Sequence, residues 1–423
     1  MVVMADRREE EAAALATLRA GRFGDAVASA MPLLRSDPTR PWPWFILGVA
    51  LAAKGDFVGL REAVNARQRA FGDAFVYFHE LAVGLMEFGL HDAAAQLGDN
   101  ARWGDLSITS DYVAGCVHLL RGDDDKAFDR FRSFKQAVAD CGPARGFAAD
   151  TLFNVAYRQG TLIEDHDYVA ALDRPRLASR LDALPAPEWI GAPARAAPAG
   201  ILLAACDAGY LKAFAARLVA TTRVHAPDFT LHLHVVGPDD EAVALLSEFA
   251  GQGVAATVEA VNDRLDPSYY ACARFLVARR LAGWYRSPLW PLDVDLELLA
   301  PLAPLAAAAE GSDLAFFRYS GFGPCSRYPA VLTRFASTET GVLALDTVAA
   351  FIGSKLDVRW PFSWMLDQAA LGSTIRWCRR RAPQISLCCL QDAVGEYWTA
   401  FMRSCGGDDE KAGLRAGDVT PRV

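Results

Sequence analysis

Apolar positions in the first 160 residues recur at helical spacing in short paired runs, each pair divided by a glycine. Trp44, Leu47, Gly48 and Leu51 fall on one helical face, and Gly55 then turns the chain into the next helix. Gly21, Gly55, Gly89 and Gly122 follow one another at intervals of 34, 34 and 33 residues. Five residues after each comes a small or aliphatic side chain, Ala26, Leu60, Ala94 or Ala127. Eight places into each unit stands another small residue, Ala14, Gly48, Ala82 or Gly115, and Pro38 closes the first unit. The pattern predicts four helix-turn-helix units.

Between about Ala170 and Gly200 the periodicity fades and Pro175, Pro185, Pro187, Pro193 and Pro198 accumulate, as expected of a linker. The texture then changes. Ile201–Cys206 is a continuous apolar run suited to a strand buried on both faces. Helix is expected over 211–224, strand over 231–236 before Gly237-Pro238, helix over 239–250 and strand over 254–261. Strands alternating with helices predict a mixed α/β domain around a mostly parallel sheet.

The chain has 423 residues, with 43 basic against 51 acidic side chains and a net charge of -8. That balance argues against broad nucleic-acid binding, which depends on neutralising phosphates. The start turns acidic within a few residues and lacks a secretory apolar segment, and the longest apolar stretch, 298–309, is broken by Pro301 and Pro304. No transmembrane segment and a cytoplasmic location are therefore expected. Nine scattered cysteines form no Cys-x-x-Cys pair and read as reduced core residues. Heavy Ala and Arg usage is associated with GC-rich bacterial genes.

Ligands of open parallel sheets lie beyond the carboxyl ends of the strands. Asp207 and Tyr210 follow the first strand, Asn262 and Asp263 the third, and Asp293 and Asp295 the apolar run at 288–292. Between the last two clusters, Tyr269-Tyr270-Ala271-Cys272-Ala273-Arg274 opens a helix whose Arg274 can approach a phosphate. On an extended strand, Asp293 and Asp295 share a face and can converge on one hard cation. His232 and His234 also share a strand face, but without a third ligand they read as a packed or solvent-facing strand surface. His79, His91, His118 and His166 stand singly among helical residues and read as packed or surface groups.

The N-terminal spacing resembles the tetratricopeptide repeat, which implies a concave groove that takes a peptide, a protein or an extended polymer. The later segment resembles a glycosyltransferase of the GT-A fold, most nearly the glycogenin-like and lipopolysaccharide sugar-transferase group. The matching pieces are Asp207 with Tyr210, the Tyr270/Arg274 helix, Asp293-Val294-Asp295, Thr340–Asp346 and Trp364–Gln368. The implied organisation is a helical repeat domain over 1–168, a linker over 169–199, a GT-A-like Rossmann-like domain over 200–400 and a polar tail over 401–423.

The resemblance implies a nucleotide-diphosphate sugar as donor and a hexosyltransferase-like activity. A divalent cation, Mn or Mg, would bridge the diphosphate to Asp293 and Asp295. Asp207, Tyr210, Tyr270 and Arg274 would hold the nucleotide and phosphates. Asp367 and Gln368 would meet the donor sugar or the acceptor hydroxyl, and a protein, peptide or glycan acceptor would sit at the repeat groove. The chain departs from the group in three places. No histidine follows His234, so water, Asp392 or Glu396 is left to complete the cation's shell; Pro291 implies a bulged or shortened strand; and a terminal lid segment is missing.

Three other readings remain. A phosphotransferase of the haloacid dehalogenase type would open its domain with the Asp-x-Asp and need a later lysine, yet Lys355 is the only lysine between Lys212 and Lys411. A GT-B enzyme needs two α/β halves, and only one fits. A non-catalytic repeat-based interaction protein with a degenerate transferase domain is the remaining alternative.

Overall fold

The computed structural model describes residues 2–72, 74–100, 106–121, 123–141, 186–191, 197–261, 267–318, 327–356 and 366–406. The chain divides into two compact units, the first ending at Glu164. Gly122, His166, Asn262, Asp263 and the Trp364-Met365 pair lie outside the described residues.

The first unit is all helical in its described part. Its elements are α1 (Val2–Arg19), α2 (Phe23–Ser36), α3 (Pro41–Ala53), α4 (Phe57–Phe71), α5 (Ala74–Glu87), α6 (His91–Asn100), α7 (Leu106–Arg121) and α8 (Asp124–Cys141). Gly21, Gly55 and Gly89 all take left-handed φ values near +70°, which lets each pair reverse without a Cβ clash. Ala26, Leu60, Ala94 and Ala127 are completely buried, and their even spacing places one core contact in each pair. The aromatic side chains Trp44, Tyr77, Phe78, Tyr112, Phe131 and Phe134 fill the same core.

The second unit is built on a sheet. Its strands are β1 (Glu188–Ile190), β2 (Gly200–Asp207), β3 (Phe229–Val236), β4 (Ala255–Glu259), β5 (Leu289–Leu292), β6 (Leu296–Leu298), β7 (Leu314–Phe316), β8 (Thr333–Phe335), β9 (Leu387–Cys389) and β10 (Met402–Ser404). The helices are α9 (Ala208–His225), α10 (Asp240–Gly251), α11 (Pro267–Leu281), α12 (Ala303–Ala308), α13 (Glu339–Leu356), α14 (Leu366–Arg381) and α15 (Leu390–Val394).

The main sheet runs β1-β4-β3-β2-β5-β8-β7-β9, and β6 pairs with β10 apart from it. β2 lies parallel to both β3 and β5, and β3 lies parallel to β4. From β2 the chain therefore adds β3 and β4 on one side and then crosses to add β5 on the other. That reversal is a topological switch point, where the crevice of an open α/β sheet forms. It sets the carboxyl ends of β2 and β5 side by side.

The faces of the sheet differ. Leu202, Ala204, Leu231 and Leu233 share a core with Leu211, Ala215 and Leu218 of α9 and Leu246 of α10. The alternate residues His232, His234 and Thr257 are also fully buried, so that face has a polar interior.

Pro291 is accommodated as a gap in one ladder. It stands opposite Leu203 of β2. On the other side β5 meets β8 at Leu289↔Phe335, and the same register resumes at Leu292↔Leu332. The missing N–H thus interrupts the shorter pairing and leaves the parallel one whole.

Two expected boundaries are corrected. Inside the Pro/Ala-rich stretch, Glu188–Ile190 forms an edge strand antiparallel to β4, because Trp189 has Tyr285 and His232 to pack against. The segment expected as a polar tail begins instead with β10, where Phe401, Met402 and Cys405 are buried. No helix among the described residues is long and apolar enough to cross a membrane.

Candidate functional site

Arg274 is the hub of the switch-point crevice. It sits on α11, 3% exposed, and its guanidinium reaches two acids from distant segments. Nη1 lies 2.7 Å from Oδ1 of Asp293, and Nη2 donates to Oδ2 of Asp367 at 2.6 Å. The same group donates to the carbonyls of Ala271 and Ala330, at 2.7 and 3.1 Å. Nε has no hydrogen-bond partner among the described residues. Burial works against the guanidinium's charge, but Asp293 and Asp367, helped by Cys272 and Asp295, outweigh it and raise its pKa above the ordinary value.

Asp293 and Asp295 do not lie on an extended strand, as their alternation implied. β5 ends at Leu292, and the two acids fall in the turn before β6. The shared-face argument from strand geometry therefore does not hold. From the turn, the charge of Asp295 bears on Arg274 and on the buried Cys206 thiol. Burial pushes that thiol up, and Asp207 and Asp295 push it further.

Asp207 has a local job as well. Its Oδ1 accepts from the backbone N–H of Tyr210 at 2.7 Å and caps α9. Tyr210 packs its ring against Phe214, 5.3 Å between centroids. Tyr270 is half-buried on the first turns of α11, with its ring edge-on to Tyr269.

Asp367 is 7% exposed in the first turn of α14. Its Oδ1 accepts from the N–H of Gln368 at 2.8 Å while Oδ2 takes Arg274. Gln368 is half-buried beside Asp367.

As candidates for a cation, Asp293 and Asp295 offer hard oxygen donors amid an acid surplus, with three carboxylates near one guanidinium. In donor type and charge they fit a divalent ion. In number they fall short, since the described residues hold no group of three His, Cys, Asp or Glu placed for a metal. The remaining oxygens would have to come from the donor's phosphates and water. Asp392 pairs with Arg318 at 2.9 Å.

No family model matches the chain, and no curated protein matches it. Among solved structures it is similar to the bifunctional glycosyltransferase WbbM in its apo form, at 11% identity and a TM-score of 0.29, over 42% of this chain and 37% of that one. It is similar to the glycosyltransferase GlyE of Streptococcus pneumoniae TIGR4, at 14% identity and a TM-score of 0.30, over 46% and 45%. It is also similar to the galactosyltransferase LgtC in complex with donor and acceptor sugar analogs, at 14% identity and a TM-score of 0.33, over 53% and 97%. The chain spans less than half the length of WbbM and GlyE. Overlaps of this size leave the reading of the site to the chain's own residues.

The structure joins Arg274, Asp293 and Asp367 directly. One residue escaped the sequence reading. Glu259 ends β4 and is 3% exposed, and Tyr269 donates to its Oε1 at 2.5 Å. The signal was present as a lone acid at a strand's carboxyl end. Of the two outcomes expected for His232 and His234, packed or solvent-facing, the structure shows the packed one, with both rings buried against the Thr257 hydroxyl.

Proposed function

We propose that the sheet unit is a nucleotide-diphosphate-sugar transferase whose donor lies across the carboxyl ends of β2 and β5. One observation carries the reading: a buried guanidinium clamps acids from two distant segments at the switch point of the sheet. Burying Arg274 and Asp367 beside the half-buried Asp293 is costly, and an apolar cluster could hold the same elements. A fixed charge in that crevice has a use where negative charge develops on a departing diphosphate.

In this reading Arg274 orients Asp293 and Asp367 and offers positive charge to the phosphates. Asp367 and Gln368 face the sugar or the acceptor hydroxyl, and Asp207, Tyr210 and Tyr270 border the nucleotide. A divalent ion held by Asp293 and Asp295 would neutralise charge on the leaving diphosphate. The acid surplus supports that requirement, because a diphosphate entering beside three carboxylates needs more than one guanidinium to balance it.

The helical unit is proposed as a tetratricopeptide-like acceptor platform. It holds a cavity of about 560 Å³ lined by Leu15, Trp42, Phe45 and Val83, with Glu80 and Glu87 also on its wall. The same cavity favours the second reading, a partner-binding protein whose sheet unit no longer turns over.

Hydrolysis of a panel of nucleotide sugars, together with thermal shift by uridine diphosphate with and without manganese, separates the two readings. Stabilisation of the wild type and its loss in the Asp293→Ala/Asp295→Ala variant supports the transferase. Absence of both hydrolysis and stabilisation overturns it.

A further inference from the structure

Behind the site, the polar face of the sheet holds a chain of hydrogen bonds. The Tyr285 hydroxyl lies 2.7 Å from Nδ1 of His232, and Nε2 of His232 lies 2.8 Å from the Thr257 hydroxyl. That hydroxyl also meets Nδ1 of His234 at 2.9 Å. Nε2 of His234 lies 3.7 Å from Oε2 of Glu259, a longer electrostatic contact. His232, His234, Thr257 and Glu259 are at most 3% exposed, and Trp189 covers His232 from the sheet edge.

The Thr257 hydroxyl has one proton and two imidazole neighbours, so it donates to one and accepts from the other. If it donated to His232, a neutral His234 would carry its proton on Nδ1. The bare Nε2 would then face the Glu259 carboxylate, two acceptors opposed in a buried site. The opposite order has no such conflict. Tyr285 donates to His232, His232 to Thr257, Thr257 to His234, and His234 turns an N–H towards Glu259. Every donor points the same way, and the chain ends on the carboxylate.

Glu259 passes that order on to α11. Its Oε1 accepts from the Tyr269 hydroxyl at 2.5 Å, and Oε2 lies 3.5 Å from Nη1 of Arg280. Burial pushes the Glu259 carboxyl up, but contacts from His234 and Tyr269 outweigh it and hold its pKa below the ordinary value. Tyr269 and Arg280 stand on the first and last turns of α11, and Arg274 lies between them. One buried carboxylate therefore fixes both ends of the helix that carries Tyr270 and Arg274.

We propose that Glu259 is a positioning residue that holds α11, and so Arg274, in register with the carboxyl ends of β2 and β5 for binding a nucleoside diphosphate. The part concerning the ligand rests on the transferase reading; the part concerning α11 does not.

The test uses the full chain with Glu259→Gln, the milder Tyr269→Phe, and Asp313→Asn as a control. Asp313 is a buried carboxylate in a separate cluster, where it accepts from Thr338, Thr340 and Ser386. Amide exchange over residues 269–276 reads the helix, and calorimetric titration with uridine, guanosine and adenosine diphosphates, with MnCl2, reads the site. Exchange over 269–276 should quicken in Glu259→Gln and Tyr269→Phe and stay unchanged in Asp313→Asn. Affinity for the diphosphate that the wild type binds should fall about tenfold in the first two, the effect of losing one hydrogen bond to a charged group.

General loosening would appear in the control as well. Unchanged exchange in both α11 variants overturns the proposal whatever the nucleotide does. Faster exchange with wild-type affinity overturns it too, since the helix would then not be held for the ligand. If the wild type binds none of the three diphosphates, the transferase reading fails, and exchange alone decides whether Glu259 positions α11.

Discussion

Nη2 of Arg274 lies 2.6 Å from Oδ2 of Asp367, a residue ninety-three positions later in the chain. The pair ties the middle of α11 to the first turn of α14, and through Asp293 it also holds the turn after β5.

Removing the guanidinium should uncover two carboxylates at once. Arg274→Ala is expected to cost about 3 kcal/mol, the range for breaking a buried ion pair by deleting one partner. Arg274→Lys keeps the charge but cannot fork between two acids, so it should recover part of the stability and little of the diphosphate binding. Urea unfolding and titration with uridine diphosphate read the two effects separately. Full binding by the lysine variant would show that charge alone suffices.

Asp207 serves α9 and borders the site, and substitution can divide these roles. Asp207→Ala should lose about 1 kcal/mol with the cap, whereas Asp207→Asn keeps an acceptor for the Tyr210 N–H and should restore stability. If Asp207 also meets the nucleotide, both variants should bind uridine diphosphate more weakly. Wild-type affinity in Asp207→Asn would confine this residue to capping.

Asp293 and Asp295 differ in their partners, and so should their variants. Asp293→Asn removes a charge from Arg274 and should lower both stability and manganese-dependent binding. Asp295→Asn should affect chiefly the metal dependence. Equal unfolding midpoints together with unchanged manganese dependence in both variants would remove these acids from the cation's shell.

Low pH should destabilise both units through their buried histidines. Burial lowers His79 from 6.5 to about 4, and burial, with His234 as a neighbour, lowers His232 from 6.5 to about 3. The unfolded rings take up protons first, so this stability is whole above pH 6.5 and is lost as pH falls from 6.5 through the folded values. Each ring contributes a slope of up to about 1.4 kcal/mol per pH unit. Urea midpoints between pH 7.5 and 4.5 measure it, and a flat profile would mean that these rings are hydrated.

Close helix packing gives a matched pair of tests. A Cβ on Gly98 would stand 2.8 Å from the Cα and Cβ of Ala114, while one on Gly24 would meet nothing within 4 Å. Gly98→Ala should therefore cost about 1–3 kcal/mol, because backbone must move, and Gly24→Ala should be close to neutral. Equal thermal midpoints for the two would show that α6 and α7 pack less closely.

The elements were largely legible in the sequence because local rules govern them. Glycine at a near-constant interval marks turns that need positive φ, and Gly21, Gly55 and Gly89 adopt it. A continuous apolar run marks a strand buried on both faces, as β2 is. Asp207, directly after a strand and three residues before Tyr210, has the spacing of a cap. Even the effect of Pro291 on its ladder could be expected from its missing N–H.

Neighbours distant in sequence were not legible, because topology decides them. Local propensity does not say that β5 crosses to the far side of β2, which sets the carboxyl ends of the two strands side by side. Nor does the alternation of two aspartates reveal that their strand stops one residue earlier. Glu259 looked like any acid at a strand end until the fold set Tyr269, His234 and Arg280 around it. The residue types and their order were determined by the sequence; which charge meets which was decided by tertiary packing, since buried charges must find partners wherever the chain's crossings bring them.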